Sequence, residues 1–246
     1  MQKIVSHILA QAGNVELINI TGGEPTLHPA LFELIATCKH EKIGRITMNT
    51  NGLRIADDQG FAEKLKAAGI QLVFSLDTLD PVKSQIIHGQ GVTDKKQKAL
   101  RILEDLNIPT TLLPVCIKGV NEDDVVEIVH TYLKKEFVHS ITIQNMTFTG
   151  KNGSRFQPRD HLTIDDVEQL LAARGEFSQD DFFPLGSYHP LCYSVAYYIL
   201  YNGKFLSLSK VIDKKLLTQF SRNSYLLNAD EDFSTYFREG INRLWA

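Results

Sequence analysis

The 246 residues carry a formal net charge of -3, so no basic surface for nucleic acid is implied. Hydrophobic residues make up 43%, enough for a sizeable core, yet no apolar run approaches the roughly 20 residues that a membrane-spanning helix needs. Cys38, Cys116 and Cys192 form no CxxC or similar pair, which argues against both a zinc site and a disulfide framework, and the expected compartment is cytoplasmic.

The opening stretch MQKIVSHILAQAG has helical spacing over residues 3–12 and reads as an amphipathic helix, not as a signal peptide. VELINI is the first strand. A turn follows, and then a helix over residues 29–39 with Pro29 in its first turn. RITMNT (45–50) is a strand ending at the Asn51-Gly52 turn signal. A helix over 61–68 is closed by Gly69, and QLVFSLD (71–77) is the next strand. A helix at 99–106 leads into the strand PTTLLPVCI (109–117). A further helix at 125–134 leads into SITIQNM (140–146). Strand then helix thus alternate five times behind a lone helix, which predicts a parallel α/β sheet. The strands read as mostly apolar throughout, as expected where both faces are covered.

From residue 150 the pattern changes. GKNGSRFQPRD is a loop rich in Gly, Asn and Pro. Thr163 is the expected N-cap of the helix TIDDVEQLL, and an aromatic-rich stretch follows, with a hairpin predicted about Asn202-Gly203. Residues 150–246 are therefore expected to form a C-terminal extension packed on a core of residues 1–149.

In parallel α/β sheets ligands bind at the carboxyl ends of the strands. Those ends carry Thr21-Gly22-Gly23-Glu24-Pro25, then Thr50-Asn51-Gly52, then Ser75-Leu76-Asp77, and finally Gln144-Asn145-Met146. Gly22 and Gly23 leave backbone open to close approach. An ionised Glu24 suits an ammonium or a ribose hydroxyl. Thr50 and Ser75 can donate to a carboxylate, and Asp77 can accept from ribose. Each also has a plain structural reading: an ordinary turn, a cap on the next helix. Lys83 and His88, in the stretch after Asp77, have two readings: side chains that reach toward a bound ligand or substrate, or, more commonly, exposed helix residues.

The order TGGEP, TNG, SLD, with HPALFELI after the first, resembles the radical S-adenosylmethionine (radical SAM) superfamily over roughly residues 2–149. The resemblance implies a partial (β/α)6 TIM-like barrel lacking its first strand. It implies S-adenosylmethionine as cofactor, its methionyl amine at Thr21, Gly22, Gly23, Glu24 and Pro25. Its carboxylate and ribose would lie at Thr50, Asn51, Ser75 and Asp77, and its adenine near Gln144 and Met146. Residues 144–156 and 182–199 are similar to the tetraether lipid synthase-like group, near the radical SAM methyltransferases. In that group Cys192 would be a candidate ligand of an auxiliary cluster; a small buried hydrophobe is the plainer reading of it.

The family also uses a [4Fe–4S] cluster held by CxxxCxxC after the first strand. That element is not in these residues, and Cys38, Cys116 and Cys192 form no compact triplet. The expectation is a chain inactive alone, whose family acts on an organic or lipid-like substrate. A partner chain or an N-terminal segment would cover the exposed sheet edge. The alternatives are a non-catalytic ligand-binding module and an unrelated α/β barrel enzyme, for which Lys118 and GKNG are the only candidates.

Overall fold

The computed structural model describes residues 2–147, 157, 159, 161–185, 193–222, 227 and 231–245. Cys192 and the loop 150–156 lie outside the described residues. Two compact units are present, residues 1–161 and 162–246.

The first unit opens with helix α1 (Gln2–Ala12) and alternates thereafter. Strand β1 (Val15–Ile20) is followed by α2 (Leu31–Cys38), and β2 (Ile43–Thr50) by α3 (Leu53–Asp57) and α4 (Gln59–Ala67). Strand β3 (Gln71–Ser75) is followed by α5 (Pro81–His88) and α6 (Thr93–Asp105). Strand β4 (Thr110–Leu113) is interrupted at Pro114 and resumes as β5 (Val115–Cys116), ahead of α7 (Glu122–Tyr132). The last strand is likewise in two pieces, β6 (Val138–Ile141) and β7 (Gln144–Asn145). A proline cannot donate to the ladder, and the break at Pro114 follows from that. Its carbonyl still accepts from Gln144 N at 2.8 Å.

All neighbours in the main sheet are parallel, and the order β1-β2-β3-β4-β6 repeats the order in the chain. A strand order that never reverses is that of a barrel arc. A doubly wound sheet has a switch point. The five strands thus form a partial TIM-like barrel.

The two faces of this arc differ. Ile20, Ile46, Met48, Leu72, Phe74 and Leu112 pack with Leu31, Ile35, Phe61, Leu65, Leu100 and Leu103 of the helices into the main core. The alternate residues on the other face are largely polar: Asn19, Thr47, Asn49, Gln71, Ser75, Thr111 and Ser140. They bond to one another, Thr47 Oγ1 donating to Asn19 Oδ1 at 2.9 Å. Gln71 Nε2 donates to Thr111 Oγ1 at 3.4 Å, and Thr111 and Ser140 share a hydrogen bond of 2.7 Å. The strands are therefore apolar on one side only, which corrects the reading of strands buried in apolar surroundings on both. The run Leu72-Val73-Phe74 hides the alternation that Ile46-Thr47-Met48-Asn49 displays.

In the second unit, Thr163 caps α8 (Ile164–Ala172) in a reciprocal capping box with Asp166. Short strands β8 (Phe183–Pro184) and β9 (Ser194–Val195) pair antiparallel. The predicted hairpin is present: β10 (Tyr198–Tyr201) and β11 (Lys204–Ser207) are joined by Asn202 and Gly203, both at positive φ, as a type I′ turn requires. Phe183, Leu208, Val211, Ile212 and Leu217, the last from α9 (Lys214–Phe220), form its core. Helix α10 (Glu231–Trp245) adds Phe233, Phe237 and Ile241 to that core. Among the described residues no helix is long and apolar enough to cross a membrane.

Candidate functional site

The carboxyl ends of β1, β2 and β3 carry the three sequence signatures, and the structure joins them. Gly22 has φ +138°, which L side chains rarely adopt, and a Cβ built at Gly22 or Gly23 meets nothing within 4 Å. The space above this turn is open, and Thr21 is exposed beside it. Pro25 begins a short 3-10 turn (Pro25–Leu27) that Glu24 caps.

Glu24 does more than cap. Its Oε1 accepts from Thr26 N (3.1 Å), Thr26 Oγ1 (2.7 Å) and Thr50 Oγ1 (2.8 Å). Its Oε2 accepts from Asn51 N at 2.7 Å. Four donors converge on one carboxylate and tie the turn after β1 to the end of β2. Arg54 adds a second tie, donating to Thr26 O while lying 4.1 Å over the Phe61 ring. Thr50 is buried, and its hydroxyl also accepts from Gly52 N (3.1 Å). Asn51 Oδ1 accepts from Leu53 N at 3.0 Å and so starts α3. Thr50 and Asn51 therefore build the wall behind the glycines.

Asp77 plays the matching part after β3. It is 3% exposed; its Oδ1 accepts from Val115 N at 2.7 Å and its Oδ2 lies 3.2 Å from His88 Nε2. The helix that follows is capped instead by Asp80, which accepts from Val82 N and Lys83 N. His88 is thus drawn in to the site, and Lys83 pairs with Asp124. Neither is the free surface side chain that its helical setting suggests. Asp124 also accepts from Thr78 Oγ1 at 3.0 Å, and its hydrogen bond to Lys83 raises that lysine's pKa.

Gln144 is exposed, whereas Met146 is buried with Ile87 and Ile117 in a small apolar cluster. Met146 N donates to Cys116 O at 3.2 Å, which fixes the end of the last strand against β5.

Two residues that motif reading passes over hold these ends together. Asn121 is fully buried; its Oδ1 accepts from Ile117 N, and its Nδ2 donates to both Asp77 O and Val115 O, each at 2.8 Å. Lys96 is 3% exposed and donates from Nζ to Ser75 O. Its signal in the sequence is a charge at an apolar position of a helical stripe, ahead of Ala99, Leu100 and Leu103.

Cys38 and Cys116 are both buried. Burial pushes the Cys116 thiol up to about 12 and raises that of Cys38 as well. Among the described residues no group of three His, Cys, Asp or Glu side chains is placed to hold a metal ion.

Comparison with known proteins agrees with this geometry. The family described as the Radical SAM superfamily matches residues 1–132, more than half of the chain. The 7,8-dihydro-6-hydroxymethylpterin dimethyltransferase of Methanocaldococcus jannaschii is 24% identical over 78% of this chain and 38% of its own length. The GTP 3',8-cyclase of Peptoclostridium acidaminophilum is 35% identical over 47% of this chain and 35% of its own. The chain therefore spans less than two fifths of the length of these relatives. In fold it is similar to native anSMEcpe with bound AdoMet, with a TM-score of 0.52 and 20% identity over 71% of this chain and 50% of that one. Members of the matching family use S-adenosylmethionine and a [4Fe–4S] cluster. By family match, strand order and the TGGEP turn, this chain belongs to the radical SAM superfamily.

Proposed function

We propose that residues 1–246 grip the amino-acid end of S-adenosylmethionine at the carboxyl ends of β1, β2 and β3, and do not by themselves cleave it. The observation that carries the reading is the open, braced turn at Gly22-Gly23. Its backbone faces empty space, and four donors on Glu24 hold its shape. A methionyl ammonium is a donor and meets backbone carbonyls there, with the remaining acceptor capacity of Glu24 Oε2 beside them. Ser75 offers a hydroxyl to the carboxylate, and Asp77 holds the loop on the ribose side through Val115 N and His88. Thr50 and Asn51 act by holding Glu24, and Met146 gives an apolar wall for the adenine. The residues present thus fit the cofactor.

They do not fit the cluster. Thiolates are its ligands, and the two described cysteines lie buried with raised pKa values. No step through iron follows from these residues. In the family the cluster supplies the electron that cuts the sulfonium.

The substrate side favours a polar organic molecule over a lipid. The concave face of the arc presents amides and hydroxyls, and Asn49 Oδ1 is shut off from solvent without a partner. A buried acceptor left unpaired costs about 1–3 kcal/mol, which an N–H or O–H donor relieves. The two relatives named above act on a pterin and on GTP, both rich in such donors. The outer edge of β1 pairs with no strand among the described residues, and Leu17, Leu27, Ile4 and Ile8 nearby are exposed. A further strand, from the same polypeptide or from a partner, pairs there. Slow amide exchange of both edges of β1 in an isolated monomer would overturn that part.

Calorimetric titration of residues 1–246 with S-adenosylmethionine tests the main reading. We expect saturable binding that Gly23→Val, which fills the open space without a positive φ to strain, abolishes with little loss of melting temperature. Absence of binding by the unaltered chain at millimolar ligand overturns it. Anaerobic reconstitution tests the second half: about four irons per chain, with cofactor cleavage, would show that these residues suffice.

A further inference from the structure

Lys96 has no place in the grip just described, yet it is the most deeply buried lysine among the described residues. It stands in the first turn of α6, on the apolar stripe, and its Nζ lies 5.6 Å from the centroid of the fully buried Phe74 ring. Nζ donates to the carbonyl of Ser75, the last residue of β3. Burial lowers its pKa, while the nearby carboxylates of Asp77 and Glu24 act the other way and favour the charged form. A lysine buried among Phe, Ala and Leu is costly unless something in its surroundings needs the charge.

What needs it is the pair of acids. Glu24 and Asp77 are both brought to the ligand end of the sheet. Their partners there are backbone N–H groups, hydroxyls and one imidazole. Hydrogen bonds from neutral donors stabilise a carboxylate but leave its charge in place. Arg54 stands beside the first acid, on the carbonyl of Thr26, and Lys96 beside the second, on the carbonyl of Ser75; without Lys96 one of the two negative charges has no such cation near it.

We propose that Lys96 is the counter-charge of the cofactor site, a positioning residue that sets how strongly the site prefers a cationic sulfonium over a neutral thioether. The inference rests on the cofactor reading above. S-adenosylmethionine carries two positive groups and one negative, a net +1, and S-adenosylhomocysteine carries none net. A site whose acids are offset by nearby cations holds the first without trapping the second. Removing Lys96 deepens the negative potential and increases discrimination between the two. Lys96 touches neither ligand in this scheme. It works through the Ser75 carbonyl and through space on the two carboxylates.

The test is the ratio of the dissociation constants of S-adenosylhomocysteine and S-adenosylmethionine, measured by ligand-observed NMR on the full 246-residue chain. Structural damage weakens both ligands together and leaves the ratio alone; a change of charge does not. Lys96→Met should raise the preference for S-adenosylmethionine roughly tenfold, the scale of one unit charge at a partly buried site. Lys96→Arg, which keeps the charge, should restore the original ratio. Asp77→Asn removes a negative charge and should move the ratio in the opposite direction, so the inference can be judged even where Lys96→Met does not fold. A ratio unchanged in Lys96→Met, or unchanged in Asp77→Asn, overturns the counter-charge. Failure of the unaltered chain to bind either ligand instead overturns the cofactor reading itself, a result distinct from binding with an unchanged ratio.

Discussion

The two acids at the strand ends do the same job with different tolerance. Glu24, after β1, accepts a backbone N–H from the end of β2, and Asp77, after β3, accepts one from Val115 beyond β4. Each ties a loop to the end of the next strand. Glu24 is surrounded by donors on both oxygens. Asp77 has a backbone donor on one oxygen and the His88 ring on the other, and a neutral imidazole nitrogen can donate or accept. The first brace is locked to a carboxylate; the second can accept a change of chemistry on one side. A motif letter therefore says little about how strictly its residue is required.

Four measurements break or sharpen this contrast. Asn121→Ala removes the amide that holds both Asp77 O and Val115 O, leaving three backbone groups without it, two of them in buried bonds, and should cost about 3–4 kcal/mol in denaturant unfolding. A loss under about 1 kcal/mol would mean that the Asp77 end does not depend on it. Glu24→Gln comes next, at about 2 kcal/mol, because either orientation of the amide sets an N–H against Thr26 N–H or Asn51 N–H. Asp77→Asn should cost under about 1 kcal/mol, since Oδ1 can stay on Val115 N while Nδ2 donates to His88. Equal losses for these two isosteric changes would erase the distinction. The smallest effect is in pH. The pKa of Lys96 is depressed in the folded state, so between that value and about 10.5 the unfolded chain holds more protons. Stability should rise with pH across that window, and Lys96→Met should flatten the rise. Lys83, whose pKa Asp124 raises, has the opposite sign: its contribution is complete below about 10.5 and is lost as pH climbs through the folded value.

Much of the scaffold is legible from periodicity. The five strands, Thr163 as a cap and the Asn202-Gly203 hairpin are present as expected. The short helix α3 is not, because five residues show too little of a 3.6-residue repeat to stand out from a loop. The signature residues are visible too, but their wiring is not. Nothing in the letters tells that Glu24 will meet Thr50, 26 positions on, or that Asp77 will meet Val115, 38 positions on. Such pairs are set by strand register, which comes only with the fold. Lys96 is hidden differently. Its one trace in the letters is its place on the stripe of Ala99, Leu100 and Leu103, and the charged run TDKKQK masks it until α6 is packed.

Gly22 and Gly52 are the same letter in two signatures, and both have positive φ. Over Gly22 there is empty space; over Gly52 a Cβ would stand 2.0 Å from the Phe74 ring. The first is fixed by its own backbone and is blind to its neighbours. The second is fixed also by a side chain 22 positions away, so in an alignment of relatives positions 52 and 74 should vary together. Where the aromatic ring gives way to a small residue, asparagine, which tolerates the left-handed region, becomes acceptable at position 52. No such correlated exchange should be found at position 22.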